Sequence, residues 1–316
     1  MHNPWQVYEL LLDIVPDDVM VEEVSIGMTW TICRANDRLG LAMSPQNGAR
    51  TLSWPGSLQG RSARELANWV REWDPYKSTV GMATINATMY LDEQLQARLQ
   101  PITTNASTNL AVFKHFYAQL QGKKVVVVGR YPGMEEALQG IDVTVLERQP
   151  GASDLPDMAA EYILGEADWV FLTATSLINK TFPRLAELAR DSNLVLMGPT
   201  TPWLTELSEF GVDYLAGVRV HDAANVTKTV AEGGGTRLFE SGLEYCIADL
   251  GASEMDWIKT AISDTVSRRE YIKDEMERWC NGKQRGRFPH ESELLTLDNQ
   301  LSSLDSQFKR LWDARH

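Results

Sequence analysis

Cysteine is scarce: the 316-residue chain has three, Cys33, Cys246 and Cys280, far apart and without a C-x-x-C pair. That scarcity excludes a disulfide framework and a thiolate zinc knot, and it fits a reducing compartment. Positive charge is also short. Lys and Arg number 30 against 43 Asp and Glu, leaving a net charge of −13 and a pI near 4.9. No Lys/Arg run breaks this acidic field, so neither nucleic acid nor an anionic lipid surface is expected as a partner. No stretch approaches the ~20 apolar residues of a membrane span. The opening Met1-His2-Asn3-Pro4-Trp5 lacks the basic and then apolar stretch of a signal peptide, so a cytoplasmic location is expected. What is present is ordinary for a folded protein, 43% hydrophobic and 23% charged residues, in a chain longer than one typical domain.

Three patterns divide the chain. Residues 1–100 read as a small α+β domain. Apolar positions at helical spacing (Val7, Leu10, Leu11, Ile14) end at Pro16, and β-like stretches follow at 19–24, 28–35 and 39–43, the last two joined through Asn36-Asp37-Arg38 as a hairpin. A Pro/Gly/Ser stretch at 44–60 leads to helical segments at 62–73 and 76–90, with Ser62 and Glu65 at capping-box spacing. Residues 101–250 alternate strictly. Apolar strands at 124–129, 143–147, 169–173, 194–198 and 214–220 are separated by helical segments at 134–138, 156–164, 181–190, 203–210 and 225–232. Continuous apolar runs between helices predict a parallel sheet covered on both faces, a Rossmann-like doubly wound α/β domain.

Residues 251–316 are helical. Leu294, Leu297, Leu301, Leu304, Phe308 and Leu311 form a heptad seam, and Ile258, Ile262, Thr265, Arg269, Ile272, Met276 and Trp279 repeat it with Arg269 out of place. Gly282, Gly286 and Pro289 break the two apart, which predicts a helical hairpin packed on itself or on its parent domain, with homodimerisation as the alternative.

Ligands of doubly wound sheets sit beyond the carboxyl ends of the strands, where unpaired helix N–H groups gather. The first such loop, Gly129-Arg130-Tyr131-Pro132-Gly133, is not G-x-G-x-x-G. Glu147, 18 residues beyond Gly129, stands near the place of a ribose-binding acid, or is a surface carboxylate. The third loop gathers Thr173, Thr175, Ser176, Asn179 and Thr181; capping by Asn179 or Thr181 explains one of these polar residues, not five. Gly198, Pro199, Thr200 and Thr201 repeat the theme in the fourth. The loops together predict a pocket rich in hydroxyl and N–H donors with one carboxylate.

Leu146-Glu147-Arg148, Ala167-Asp168, the S-L-I-N-K-T run ending at Thr181, Gly198-Pro199-Thr200-Thr201-Pro202 and Ala216-Gly217 together resemble the putative heavy-metal chelation family, a Rossmann-like domain of unknown function. The resemblance covers roughly residues 5–240. It implies that the first domain is similar to the N-terminal domain of enolase and that the site lies in the interdomain cleft, with Gly27-Met28-Thr29-Trp30-Thr31 and Asn86-Ala87 facing the loops. Soft-metal chelation needs clustered thiolates or imidazoles, and the five histidines, His2, His115, His221, His290 and His316, are scattered. His221-Asp222 follows the fifth strand, and a hard cation on Glu147, Asp222 and carbonyls is a weaker alternative. No G-x-S-x-G elbow supports nucleophilic catalysis at Ser176 or Thr175. Trp30, Trp54, Trp69 and Trp73 serve either a cofactor face or the core of the small domain.

The leading expectation is a small-ligand-binding protein whose cleft takes a metal, an oxyanion or another anionic or metal-containing small molecule. The alternative is an enzyme using a nucleoside cofactor such as S-adenosylmethionine or NAD, motivated by Glu147. A scaffold working through its C-terminal hairpin is the third.

Overall fold

A computed structural model describes residues 3–46, 51–91, 93–102, 110–240, 242–282 and 288–313. Residues 47–50 of the Pro/Gly/Ser stretch, 283–287 of the expected helix break, His2 and His316 lie outside the described residues, as does the side chain of Leu311. The backbone groups into two compact units, Met1–Ala248 and Asp249–His316.

The first unit opens with α1 (Gln6–Asp13) and an antiparallel sheet of β1 (Val21–Ile26), β2 (Trp30–Ala35) and β3 (Arg38–Met43). Asn36 and Asp37 have φ of 52° and 58°, so the β2–β3 link is the tight turn whose twist suits a two-residue hairpin. Helix α2 (Ala63–Ala67) gives way to a 3₁₀ turn at Asn68–Arg71, shortening the helix expected at 62–73. The capping box does not form: Ser62 makes no side-chain cap bond, and the Glu65 carboxylate is taken by Arg61. Helix α3 (Pro75–Thr88) starts at Asp74, whose carboxylate accepts the Lys77 N–H at 2.8 Å, with Pro75 in the first turn. It is buried almost all round, which its weak amphipathicity requires. Gly40 is what lets it lie on β3. A Cβ there would stand 2.1 Å from the Ala87 nitrogen and 2.2 Å from the Ala83 oxygen.

Next come α4 (Glu93–Arg98), β4 (Gln100–Pro101), α5 (Ala111–Phe116), β5 (Lys124–Val128), α6 (Met134–Ala137), β6 (Asp142–Glu147), β7 (Leu155–Pro156), α7 (Ala160–Ile163) and β8 (Trp169–Thr173). They are followed by α8 (Thr175–Ile178), α9 (Phe182–Leu188), β9 (Asn193–Met197), β10 (Tyr214–Val220), α10 (Ala223–Ala231) and β11 (Leu243–Asp249). The strands form one eight-stranded sheet in the order β4-β11-β10-β9-β8-β5-β6-β7. Pairing is parallel from β10 through β7, and β4 lies antiparallel on β11. The five expected strands appear within a residue or two, whereas β4, β7 and β11 are additions to them. Other segments also depart from expectation. Residues 203–210 form a 3₁₀ helix at Thr205–Phe210, the third loop contains α8, and 156–164 is a series of short turns.

The two sheets of this unit share one core. Trp30, Ile32 and Leu41 of the small sheet join Phe113 and Phe116 of α5 with Val125, Val127, Trp169 and Phe171 of the large one. Phe113, Phe116 and Phe171 are fully buried, each contributing on the order of 1.5–3 kcal/mol.

The second unit is a pair of long helices, α11 (Leu250–Asn281) and α12 (Glu291–Asp313). They run antiparallel: Trp279 meets Phe288 at a 6.2 Å ring separation, Arg269 reaches Asp298 at 2.6 Å, and the Lys259 ammonium lies 5.8 Å from the Phe308 ring. Arg269, which interrupts the apolar seam, therefore bridges the two helices as an ion pair. Among the described residues, no helix is long and apolar enough to cross a membrane.

Candidate functional site

The strand order reverses between β5 and β8. In open parallel sheets such a reversal leaves a crevice at the carboxyl ends of the strands, because the two crossover connections diverge to opposite sides. A cavity of about 870 Å³ lies here. One wall is built from residues 128–132 at the end of β5, 146–149 at the end of β6, 173, 175, 176 and 178–181 after β8, and 197–200 at the end of β9, with Ala174 and Leu177 outside it, together with 157, 158, 160 and 161 and with 184, 185 and 188 of α9. The other comes from Thr29, Trp30 and residues 43–46 of the small sheet, Pro75 and Thr79 of α3, Gly235, Thr236, Phe239, and Tyr245 of β11.

Of the residues expected at a site, Gly129, Tyr131, Pro132, Glu147, Thr173, Thr175, Ser176, Asn179, Thr181, Gly198, Pro199, Thr200 and Trp30 are brought together on this lining. Thr201 and Asn86 are not. Thr201 is buried and donates its hydroxyl to the Ala216 carbonyl at 3.3 Å. Asn86 lies behind the lining, its amide N–H group donating to the Leu41 and Thr200 carbonyls at 2.8 and 3.0 Å. His221 and Asp222 are also absent from the cavity. Asp222 caps α10 by accepting the Asn225 N–H at 3.0 Å, which removes the proposed Glu147/Asp222 cation pair. Of the four tryptophans only Trp30 lines the cavity, donating its indole N–H to the Gly235 carbonyl at 3.0 Å. Trp54 and Trp69 pack on each other, and Trp73 is 75% exposed.

Each loop is shaped by backbone chemistry. Gly129 has φ of +99°, and a Cβ there would lie 3.1–3.2 Å from Thr173, so glycine keeps the β5 and β8 loops in contact. Glu147 closes the neighbouring corner, with one carboxylate oxygen accepting the Arg130 N–H at 2.9 Å and the other the Arg148 N–H at 2.7 Å. The Arg130 guanidinium is itself fixed between Asp154 and Glu135. Asn179 accepts both the N–H and the hydroxyl of Thr181, at 3.1 and 2.6 Å, so capping engages these two residues. Thr200 ties the walls together, accepting the Met43 N–H at 3.0 Å.

The remaining hydroxyls are less fully engaged. Thr173 and Thr175 lie 2.9 Å apart and share one hydrogen bond, which uses only one of their two hydroxyl protons between them. Among the described residues, no group meets hydrogen-bond geometry with the buried hydroxyls of Tyr131 and Ser176 or with the side-chain oxygen of Asn86, although Thr173 stands close enough to Tyr131 to pull its phenol down against the larger upward effect of burial. Burial pushes the phenols of Tyr131 and Tyr245 above their ordinary range, so both remain protonated donors.

Lys180, in the third loop, has a structural role that the loop sequence alone does not reveal. It occupies a left-handed backbone position with φ of +66°, and its ammonium donates to the Glu72 carbonyl at 2.6 Å, Ser78 Oγ at 2.5 Å and the Ile178 carbonyl at 2.9 Å. Burial pulls it down from 10.5 to about 8. The signal was a lone cation in a strand-to-helix loop. Phe239 and Tyr245 carried none, being brought to the cavity by tertiary packing.

The donor set does not suit a soft metal ion. Among the described residues no group of three or more His, Cys, Asp and Glu side chains comes together. Cys33 and Cys246 are buried away from the cavity, with burial pushing both thiols up to about 12, and Cys280 is exposed. Soft cations require thiolate or imidazole ligands that this lining does not supply.

Comparison with known proteins agrees with this architecture. Residues 111–249 match the DUF364 family, described as putative heavy-metal chelation, and residues 8–89 match DUF4213, a second family with the same description. A crystal structure of a DUF364 protein of unknown function from Desulfitobacterium hafniense is 31% identical, with a TM-score of 0.70, covering 79% of this chain and 100% of that one. A second, from Pyrococcus horikoshii, is 21% identical with a TM-score of 0.64 over 78% of this chain and 99% of its own, a likeness of fold. An uncharacterized protein of Methanocaldococcus jannaschii is 25% identical over 222 residues, 67% of this chain and 83% of that protein.

Proposed function

This chain belongs to the DUF364 family, whose function is unknown, and from that premise we propose that it is a small-ligand-binding protein. Its ligand is an anionic or metal-containing molecule held between the small sheet and the carboxyl ends of β5, β6, β8 and β9. The observation that carries this reading is the pair of buried hydroxyls on Tyr131 and Ser176, without a partner at hydrogen-bond geometry among the described residues, on the lining of the switch-point cavity. A buried polar group without a partner costs roughly 1–3 kcal/mol, and folded proteins retain such groups mainly where a ligand or function completes them. Neutral hydroxyl and phenol donors suit oxygen acceptors. They do not supply the charge or softness that a bare heavy-metal ion requires, so the metal in the family's description would enter as part of a larger molecule or as an oxyanion.

The test is a thermal-shift and native mass spectrometry screen of the full chain against zinc and cadmium ions, molybdate and sulfate, and phosphorylated metabolites. Stabilisation by an oxygen-rich anion is expected. Stabilisation by bare zinc or cadmium alone, or by nothing, overturns the reading.

A nucleoside-cofactor enzyme is the second reading, favoured by Glu147 at the end of β6 on the cavity lining. Both Glu147 oxygens already hold backbone N–H groups, yet each keeps acceptor capacity toward a ribose hydroxyl. If S-adenosylmethionine or NAD binds, Glu147→Ala must weaken it; unchanged affinity removes Glu147 from that role.

A further inference from the structure

The cavity is far larger than its polar end needs. At about 870 Å³ it falls within the roughly 300–1,000 Å³ of sites for drug-sized organic ligands, whereas a metal ion or a four-oxygen anion would leave most of it empty. The rest of the lining is mostly apolar and partly aromatic, although Arg148, Asp157, Glu161 and Arg184 also line it, paired as Arg148–Asp157 and Arg184–Glu161. Phe239 is half-buried and meets the Trp30 ring edge-on at 6.3 Å, while Tyr245 stacks on it at 5.7 Å and an interplanar angle of 19°. Tyr131, also half-buried, stands edge-on to Phe113 at 5.5 Å. The indole N–H of Trp30 is already engaged by the Gly235 carbonyl, so that residue offers the cavity an apolar ring rather than a donor. Aromatic walls of this kind take flat rings by offset or edge-to-face contact.

We infer that the ligand is an aromatic carboxylate: a planar conjugated body lying against Trp30, Phe239 and Tyr245, with its carboxylate oxygens meeting the hydroxyls of Tyr131 and Ser176 and the Thr173–Thr175 pair. This rests on the ligand-binding reading above and narrows it from anions in general to an organic acid. The residues divide the work. The hydroxyls read the oxygens, and the aromatic cluster of the opposite wall reads the ring. A carboxylate suits the polar end because it accepts several hydrogen bonds from neutral donors at once, and the guanidiniums on the lining are already engaged, Arg130 with Asp154 and Glu135, Arg148 with Asp157 and Arg184 with Glu161. Lys180 does not serve as that partner, since its three protons go to Glu72, Ser78 and Ile178.

The experiment is isothermal titration of the full chain with indole-3-carboxylate, 1-naphthoate and 4-hydroxybenzoate, with indole and naphthalene as carboxylate-free partners, and with molybdate and sulfate alone. The variants are Tyr131→Phe, Ser176→Ala and Phe239→Ala. We expect at least one aromatic carboxylate to bind tenfold or more tightly than its carboxylate-free partner and than either inorganic anion. Tyr131→Phe and Ser176→Ala are each expected to weaken it about tenfold and to erase most of its advantage over the carboxylate-free partner. Phe239→Ala is expected to weaken the aromatic acid while leaving any inorganic anion unaffected. Binding of molybdate or sulfate with no aromatic acid bound overturns this inference and leaves the ligand-binding reading standing. Aromatic acids whose affinity is the same in all three variants also overturn it. Binding of none of the probes overturns the inference, and the anion screen above then decides the broader reading separately.

Discussion

Replacing Tyr131 by Phe should make the unliganded protein more stable while weakening its ligand. The perturbation is one oxygen atom. The ring, edge-on to Phe113 at 5.5 Å, is retained, and the hydroxyl removed is buried with no partner at hydrogen-bond geometry among the described residues. A donor stripped of water and given no replacement costs about 1–3 kcal/mol; losing the few dispersion contacts of one oxygen returns part of that, so the net gain is about 1–2 kcal/mol. Tyr131 belongs to the compact unit Met1–Ala248, and for a body of that size about 1 kcal/mol moves the melting temperature by about 2–4 °C. The assay is urea unfolding of both proteins without ligand, read as a midpoint shift at constant slope, together with thermal melts. A higher midpoint with weaker ligand binding is expected. A Tyr131→Phe protein less stable by about 1 kcal/mol or more at unchanged slope would refute the reasoning, because it would mean that the hydroxyl already has a partner in solution and is not held in reserve for a ligand.

Three further outcomes follow from the geometry. Gly129→Ala places a Cβ 3.1–3.2 Å from Thr173 at a φ of +99°, so it should lose about 1–3 kcal/mol and lower ligand affinity; an unchanged urea midpoint would show that the β5 and β8 loops are less tightly apposed. Gly40→Ala drives a methyl group to 2.1 Å from the α3 backbone, at or beyond the top of the roughly 1–3 kcal/mol range for overpacking, and should fall in soluble yield and melting temperature; normal values for both would contradict the packing of α3 on β3. Lys180 sits at about 8 when folded against 10.5 ordinarily, so between those values the unfolded chain binds more protons and stability rises with pH, the gain being complete above 10.5. Lys180→Met should lack that contribution, and parallel stability curves for the two proteins from pH 8 to 10 would exclude it.

The sequence announced one wall of the cavity and was nearly silent about the other, for a physical reason. Strands β5, β6, β8, β9 and β10 are apolar runs set between helices, so their ends could be placed and the hydroxyls beyond them read off. Strand β11 gave no such cue. It passes from Asp249 directly into Leu250 of α11 with no turn residue to close it, and its half-buried Glu244 interrupts the apolar run. Strands β4 and β7 are two residues each, too short for any periodicity to register. Strand order depends on crossover connections that leave no local trace, and the reversal between β5 and β8 is what turns four separate loops into one site. Lys180 was in plain view, but its partners Glu72 and Ser78 lie about a hundred residues away, and a buried cation is recognised by its acceptors.

This asymmetry also explains why residues alone point to an anion and the folded chain points to an organic one. Hydroxyl donors are local: Thr173, Thr175 and Ser176 fall within four positions of one loop, so their shared preference for oxygen acceptors is visible in the sequence. The apolar half of the site is assembled from Trp30 on β2, Phe239 after α10 and Tyr245 on β11, residues separated by more than two hundred positions at the widest. Each taken singly is an ordinary core aromatic. Their convergence opposite the switch point, around a volume many times that of an inorganic ion, is what motivates the proposal of a ring-bearing ligand. Shape selectivity at this site therefore depends on the docking of the small sheet against the large one. Thr200→Val, which removes the hydroxyl that accepts the Met43 backbone N–H at 3.0 Å, should alter which organic acid is accepted more than whether an anion is accepted at all.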